Sequence, residues 1–398
     1  MAQENGKLRI LMMIHRQADQ SPYCQYVHEQ AKALRARGHD VTVISCVGVT
    51  PMMERLRPEQ AAIERATPGA AVIDGVEVYY PRSLTLGNAG ERLFGGRLMY
   101  LAAIGTAKRL HAEKPFDLVH AHMLPRDGHA GLLVARALGI PVALTVHGTD
   151  IFGYFKPGER PWRRNVRIAR RVDALMAVSS LLLSRVAPYR GRKRLSLVVP
   201  NGVDLSLVPR TTQNRPRAVI SVGTLKARKC MDRTLEAFAR LAGEYPDATL
   251  TIVGIGEMEQ QLRDRIAELG LGGRVELTGW LSHGQVIERM AQSDLFVLPS
   301  WGEGYGIVYI EAMAAGCIAV GAKGEGIEDT IRNGENGFLV PAGDIDEVER
   351  VMRAVFADPA RYAQLRGQGR RDAQSLTWAR NAETTEGVYR QILSKNKH

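Results

Sequence analysis

Cysteine is scarce, with Cys24, Cys46, Cys230 and Cys317 scattered singly through 398 residues. No Cys-x-x-Cys pair occurs, which argues against a zinc framework or a dithiol centre and leaves reduced, structural thiols. Cys46 lies in Val41-Thr-Val-Ile-Ser-Cys-Val47, where a small buried hydrophobe belongs. Long apolar runs are missing too. None reaches the roughly 20 residues that cross a bilayer, and Arg9 to Ile14 is too short and strand-like for a secretion signal. A cytoplasmic protein, at most resting on a membrane, is expected. No Asp-x-Asp triplet stands at a strand end, in keeping with a reaction that needs no metal. Gly254-x-Gly256 lacks the third glycine and the downstream acid of a dinucleotide site, so NAD is not expected.

Acidic residues are in the minority, 42 against 53 Lys and Arg, for a net charge of +11. The excess gathers in Lys156 to Arg171, where six arginines surround Trp162. Two readings stand. A basic helix carrying an aromatic can lie on an anionic bilayer, each nearby charge adding about 1 kcal/mol. The same pattern also suits a solvated helix face with anion-contacting arginines. Nucleic acid is not expected, because no stacking aromatics on a sheet, zinc spacing or helix-turn-helix signal accompanies the charge.

What is present is an alternation of apolar strands and amphipathic helices, in a chain long enough for two domains of roughly 200 residues each. Strands are expected at Leu8–Ile14, Val41–Val47, Val76–Tyr80, Asp117–Ala121, Pro141–Val146, Ala174–Val178 and Leu195–Val199, and a helix from about Gln25 to Arg37. Residues 48–75, with three prolines, read as a long loop with a short helix. Pro200-Asn-Gly202 and the polar segment to Arg217 read as a linker. The alternation restarts at Ala218–Val222 and continues through Leu250–Val253, Val275–Thr278 and Leu295–Leu298, with a terminal helix at Trp378–Leu393. The fold class is α/β: two Rossmann-like doubly wound domains, 1–205 and 206–375, facing across a cleft where ligands sit.

The most informative run is Pro299-Ser-Trp-Gly-Glu303-Gly-Tyr-Gly-Ile-Val-Tyr-Ile-Glu311-Ala-Met-Ala-Ala-Gly316, in which seven residues separate two carboxylates. A buried strand precedes it, Glu303 falls in a glycine turn, and Glu311 lies in a helix-forming stretch. A helix N-terminus after a glycine turn presents free N–H groups and a positive dipole end, which suit phosphate. A carboxylate there is intelligible if Glu303 grips sugar hydroxyls while backbone holds a diphosphate and Glu311 reaches a ribose. That combination is a sugar nucleotide.

In this context Glu-x7-Glu resembles the donor motif of retaining glycosyltransferases with the GT-B fold, the family-four group. The resemblance extends to Thr145-Val-His147-Gly-Thr-Asp150, Val199-Pro-Asn201-Gly-Val-Asp204, Ser221-Val-Gly223-Thr-Leu225 with Lys229, and Val253-Gly-Ile-Gly256. It implies a terminal helix (376–398) that crosses back to the N-terminal domain, an acceptor side in that domain and a nucleotide-sugar site in the second. It also implies roles. Lys229 binds the diphosphate, His147 contacts the reacting hexose, and Glu303 binds sugar hydroxyls, although covalent nucleophile remains open for Glu303. Gly304, Tyr305, Gly306, Ile307 and Val308 supply phosphate amides and Glu311 takes the ribose. Gly279, Trp280 and Leu281 line the base, Trp280 being equally readable as core.

The chain departs from the family pattern at Gly223-Thr224, where an arginine is usual, and at Lys229-Cys230, where Lys-Gly is usual. Arg228 is the candidate to supply the missing charge. The Gly-Gly turn after the first strand is replaced by Ala18-Asp-Gln-Ser21-Pro-Tyr23. Ser21, Tyr23, His122 and Asp150 are acceptor-side candidates, with Asp150 either orienting His147 or capping the next segment. His120 and His122 alternate onto one face with no third ligand beside them in sequence.

The expected activity is transfer of a hexose, with retention and no metal or cofactor, from a UDP- or GDP-linked sugar to a glycan or lipid-linked saccharide. A sugar-nucleotide epimerase or hydrolase on the same fold is the alternative, as is a donor-binding protein without transfer activity.

Overall fold

A computed structural model describes residues 6–15, 24–49, 58–158, 160–191, 194–209 and 215–395. The chain forms two compact units, residues 1–200 with 378–398, and residues 201–377.

The first unit is built on β1 (Arg9–His15), β2 (Asp40–Val49), β3 (Ala70–Ile73), β4 (Val76–Tyr79), β5 (Arg82–Leu84), β6 (Leu118–His122), β7 (Val142–Val146), β8 (Ala174–Ala177) and β9 (Leu195–Val198). Their order is β3-β4-β2-β1-β6-β7-β8-β9, with β5 also on β2. All pairs are parallel except β3–β4. Ile10 to Ile14 are fully buried, as expected of a parallel strand covered on both faces. The order turns back on itself between β1 and β6, the crevice at which an open α/β sheet binds ligands.

The terminal helix Trp378–Lys395 belongs to this unit's core. It lies along the helix Gln25–Ala36, where Gln30 Nε2 donates to Asn381 Oδ1 at 2.6 Å and Arg37 Nε to Glu386 Oε2 at 2.7 Å. Despite desolvation, hydrogen bonds from Arg37, Arg390 and His39 hold the Glu386 carboxyl down at about 2.

The second unit contains β10 (Ala218–Val222), β11 (Thr249–Val253), β12 (Val275–Gly279), β13 (Leu295–Val297), β14 (Ile318–Ala322) and β15 (Phe338–Val340), ordered β12-β11-β10-β13-β14-β15 and all parallel. Here the switch falls between β10 and β13. Val219 and Ile220 pair with Leu295 and Phe296, so the loops carrying Lys229 and Glu303 leave adjacent strand ends.

One stretch differs from expectation. The region 48–75 is less of a loop than its prolines suggest. The expected short helix covers Pro58–Ala66, but β2 runs on to Val49 and β3 pairs back on β4 around Asp74-Gly75. Both turn residues have positive φ, 48° and 77°, as a tight Asp-Gly hairpin requires. Residues 50–57 lie outside the described residues. On the basic helix, whose two readings were a bilayer-facing and a solvated face, Trp162 is half-buried with its ring edge-on to Tyr189 at 5.6 Å. On that helix, Arg160–Arg171, Arg163, Arg167, Arg170 and Arg171 are exposed.

Candidate functional site

In the second unit, β13 ends at Val297 and the chain passes through Ser300-Trp-Gly302 into the helix Ile307–Ala314. Tyr309 pins this passage from below. Fully buried, its hydroxyl donates to Leu298 O and lies 3.1 Å from Ser300 Oγ. Gly306 begins the helix at φ 80°, and a Cβ there would fall 2.5 Å from the Tyr309 ring, so the turn requires glycine. Glu325 fixes the turn from the other side, accepting from the amides of Gly302 (2.9 Å) and Glu303 (2.7 Å).

Glu303 Oε2 is engaged by the Lys229 ammonium, and Arg228 Nη1 lies 3.9 Å from the same oxygen. Lys229 and Glu303 are only 10% and 15% exposed. Lys229 stands on the short turn after β10, which Trp301 N ties to the glycine turn by donating to Arg228 O at 2.9 Å. Cys230, where the family pattern has glycine, is left-handed at φ 54° and buried, which accounts for a glycine preference there. Burial pushes its thiol up to about 11, so it is no reactive cysteine. Thr224 is exposed beside Gly223. A Cβ on Gly254 would meet Gly223 O at 1.9 Å, which is why the 254–256 glycines sit under this loop.

Glu311, four residues into the helix, receives His283 Nε2 on Oε1 at 2.7 Å. Among the described residues no protein group contacts Glu303 Oε1 or Glu311 Oε2, and none accepts the Ile307 or Val308 amide. Tyr305 is buried, whereas Gly279 and Leu281 are half-buried and Trp280 is 71% exposed, which removes the core reading of that indole.

In the first unit, His147 follows β7 and its Nε2 lies 3.1 Å from His122 Nδ1. The Tyr26 ring packs against His147, tilted by 30° with centroids 4.2 Å apart. His120 continues the chain, its Nε2 2.8 Å from Thr145 Oγ1 and its Nδ1 2.7 Å from Tyr389 OH. The third histidine absent from the local sequence is therefore supplied by the fold. The rings pair as donor and acceptor, and among the described residues no group of three or more His, Cys, Asp or Glu could hold a metal. His122 Nε2 and His147 Nδ1 are buried without a protein partner. Asp150 holds the backbone rather than the ring. Its Oδ1 accepts from His147 N (3.1 Å) and Gly148 N (2.8 Å), and its Oδ2 from Leu124 N (3.0 Å). Desolvation raises its carboxyl against those amides. Ser21 and Tyr23 lie outside the described residues.

Two family models meet along this chain. "Glycosyltransferase Family 4" matches residues 25–207 and "Glycosyl transferases group 1" matches 209–372. This chain is a family-four glycosyltransferase. Glycogen synthase of Mycobacterium tuberculosis H37Rv is 27% identical over 92% of this chain and 90% of that one. The MMP alpha-(1->4)-mannosyltransferase of Mycolicibacterium hassiacum is 26% identical over 93% and 94%. Among solved structures, sucrose-phosphate synthase from Thermosynechococcus elongatus superposes with a TM-score of 0.76 at 20% identity, over 97% of this chain and all of that one. Anabaena HepE, solved with UDP and glucose, gives 0.71 at 19%, over 96% and 100%. These structures show the shared GT-B fold.

Several residues around the candidate site had no motif to announce them. Glu325 and His283 act from other loops, 22 and 28 residues from their partners. Asp127, fully buried at the start of the helix Asp127–Leu138, accepts from His15 N (3.1 Å) and lies 2.8 Å from His15 Nδ1, closing the end of β1. The one Asp-x-Asp in the chain, Asp344–Asp346, is spent on a helix. Asp344 caps Ile345–Ala357 and Asp346 pairs with Arg240 at 2.6 Å.

The histidine cluster gives the glycosyltransferase a definite acid response. Burial lowers His120 and His147 well below 6.5 and His122 to about 3. The unfolded chain therefore binds more protons below pH 6.5, and stability is complete above that pH and lost as pH falls toward 3. Each histidine kept neutral costs about 1.4 kcal/mol per pH unit in that window. Urea midpoints measured from pH 7 to pH 5 should fall steeply, and the fall should be shallower in His122→Gln. A pH dependence unchanged in that variant would contradict the assignment.

Proposed function

We propose that the enzyme moves a hexose, with retention and without a metal, from a nucleotide diphosphate sugar to a glycan or lipid-linked saccharide. The observation that carries this is the state of the two carboxylates. Glu303 and Glu311 are each anchored through one oxygen, to Lys229 and His283, and among the described residues the other oxygen has no hydrogen-bond partner. Free carboxylate oxygens beside a lysine, an arginine and an open helix N-terminus suit sugar and ribose hydroxyls flanking a diphosphate. Lys229, Arg228 and the Ile307 and Val308 amides would take the leaving diphosphate, a charge stabilisation that needs no cation. The second unit (201–377) is read as the donor side, with Gly279 to Leu281 at the base. The first (1–200 with 378–398) is read as the acceptor side, with His147 at the reacting hexose. UDP- and GDP-linked sugars are the favoured donors, since one relative is a mannosyltransferase named for GDP-mannose and HepE was solved with UDP.

Incubation with UDP-glucose and GDP-mannose, with and without an oligosaccharide acceptor, followed by proton NMR of the anomeric signal, tests this directly. An α-linked product from an α-donor is the expected result. Free nucleotide or an altered sugar appearing without any acceptor would instead mark a hydrolase or an epimerase. Azide rescue of Glu303→Ala to a glycosyl azide would reveal Glu303 as a covalent nucleophile.

The same reading places the enzyme on the cytoplasmic face of a membrane. No helix among the described residues is long and apolar enough to cross one. The support is a mixed surface. Leu93, Phe94 and Leu101 are exposed on the helix Gly87–Glu113 beside Arg97, and Arg164 ties this helix to the basic one by donating to Leu93 O at 2.6 Å. Flotation with anionic but not neutral liposomes is expected, and no flotation with either removes this part of the reading.

A further inference from the structure

We propose that His283 is a positioning residue of the donor site, orienting Glu311 toward the ribose hydroxyls of a nucleoside diphosphate sugar. The proposal rests on the donor reading above and deepens it.

Glu311 sits on a helix that is otherwise largely buried, with Tyr309, Ile310, Ala312, Met313 and Ala314 all in the core. The carboxylate is 13% exposed, and His283 is its one side-chain partner among the described residues. A glutamate has three rotatable side-chain bonds, and a single N–H on Oε1 removes most of that freedom while leaving Oε2 open. His283 is itself held firmly. It opens the helix His283–Ala291 behind a capping box, in which Ser282 N donates to Gln285 Oε1 at 3.0 Å. The imidazole therefore starts from a fixed backbone.

Position in the chain adds the second argument. His283 stands just beyond Gly279-Trp280-Leu281, with Ser282 between, after a turn in which Gly279 has φ 69° and Trp280 projects its indole to solvent. The Nε2–Oε1 contact thus joins the loop beyond β12 to the helix beyond β13. A nucleoside needs its base surface and its ribose acceptor held at a fixed separation, and this one contact spans the two elements that would provide them. A plain stabilising ion pair would be worth little at a site where the histidine is 32% exposed.

The test is a coupling measurement in the full chain, using calorimetric titration with UDP and 2′,3′-dideoxy-UDP, or the guanosine pair if the wild type favours GDP. In His283→Ala, Kd for UDP should rise about tenfold while Kd for the dideoxy nucleotide stays unchanged, because the latter has no hydroxyl for Glu311 to receive. His283→Gln, which can donate the same N–H, should recover most of the lost affinity. A merely structural role would weaken both nucleotides alike and lower the melting temperature. Equal losses, or no loss, overturn the proposal. Wild-type protein that binds neither UDP nor GDP would overturn the donor reading itself, a distinct failure.

Discussion

Glu303→Gln is expected to lower turnover by about 10²–10³-fold while leaving nucleoside diphosphate affinity equal to or tighter than that of the wild type. Without donor, Glu303 draws on both cations of the site, engaging Lys229 and lying 3.9 Å from Arg228. An incoming diphosphate competes for those cations. Glutamine keeps an oxygen for Lys229 and therefore avoids stranding an ammonium that is only 10% exposed. It removes the negative charge that faces the sugar as the anomeric carbon becomes cation-like. Turnover and product-nucleotide affinity should then move in opposite directions. Loss of both together would instead mean that the substitution had collapsed the turn held by Glu325. Single-turnover rates with radiolabelled donor, beside titrations with UDP and GDP, separate the two.

Asp150→Ala is expected to destabilise the first unit by about 3 kcal/mol or more, because three amide N–H groups lose their acceptor at once. Two lie within or beside the His147 turn, and the third is Leu124 after β6, so the aspartate ties two adjacent strand ends together. Gly148, with φ 127°, cannot relax this turn toward ordinary backbone without moving His147. Asp150→Asn should be milder, since its amide oxygen can still accept. Urea denaturation followed in both variants gives the comparison. An alanine variant within about 0.5 kcal/mol of the wild type would show that water replaces the carboxylate and that Asp150 does not hold the loop.

How much of this was written in the sequence depends on the range of the interaction. β1 and β13 were plain because both faces are buried and their apolar runs are nearly unbroken. The Glu303–Glu311 spacing placed one carboxylate in a turn and the other on a helix because strand, turn and helix N-terminus follow one another locally. β14 was not legible. Ile318-Ala-Val-Gly-Ala322 is short and rich in small residues with weak strand preference, and only its burial between β13 and β15 makes it a strand. β3 had a signal that could have found it, Asp74-Gly75 between Val72-Ile73 and Val76-Glu-Val78. The direction of Trp162 was not legible, because a helix crowded with arginine looks basic all round and packing against Tyr189 decides which way the indole turns. Glu325, His283 and the His15–Asp127 pair were invisible for one shared reason. Each acts on a distant segment, and no local spacing records such a contact.

The measurement that tests the central claim most directly is thermal denaturation of the wild type and Glu311→Ala against UDP, GDP, ADP and dTDP, since a ligand bound only by the folded chain raises its melting temperature. The account predicts a rise selective for one nucleotide, with UDP or GDP favoured, that is largely lost in Glu311→Ala. No rise with any of them, or an equal rise in the variant, would contradict a nucleotide-sugar site built on Lys229, Glu303 and Glu311.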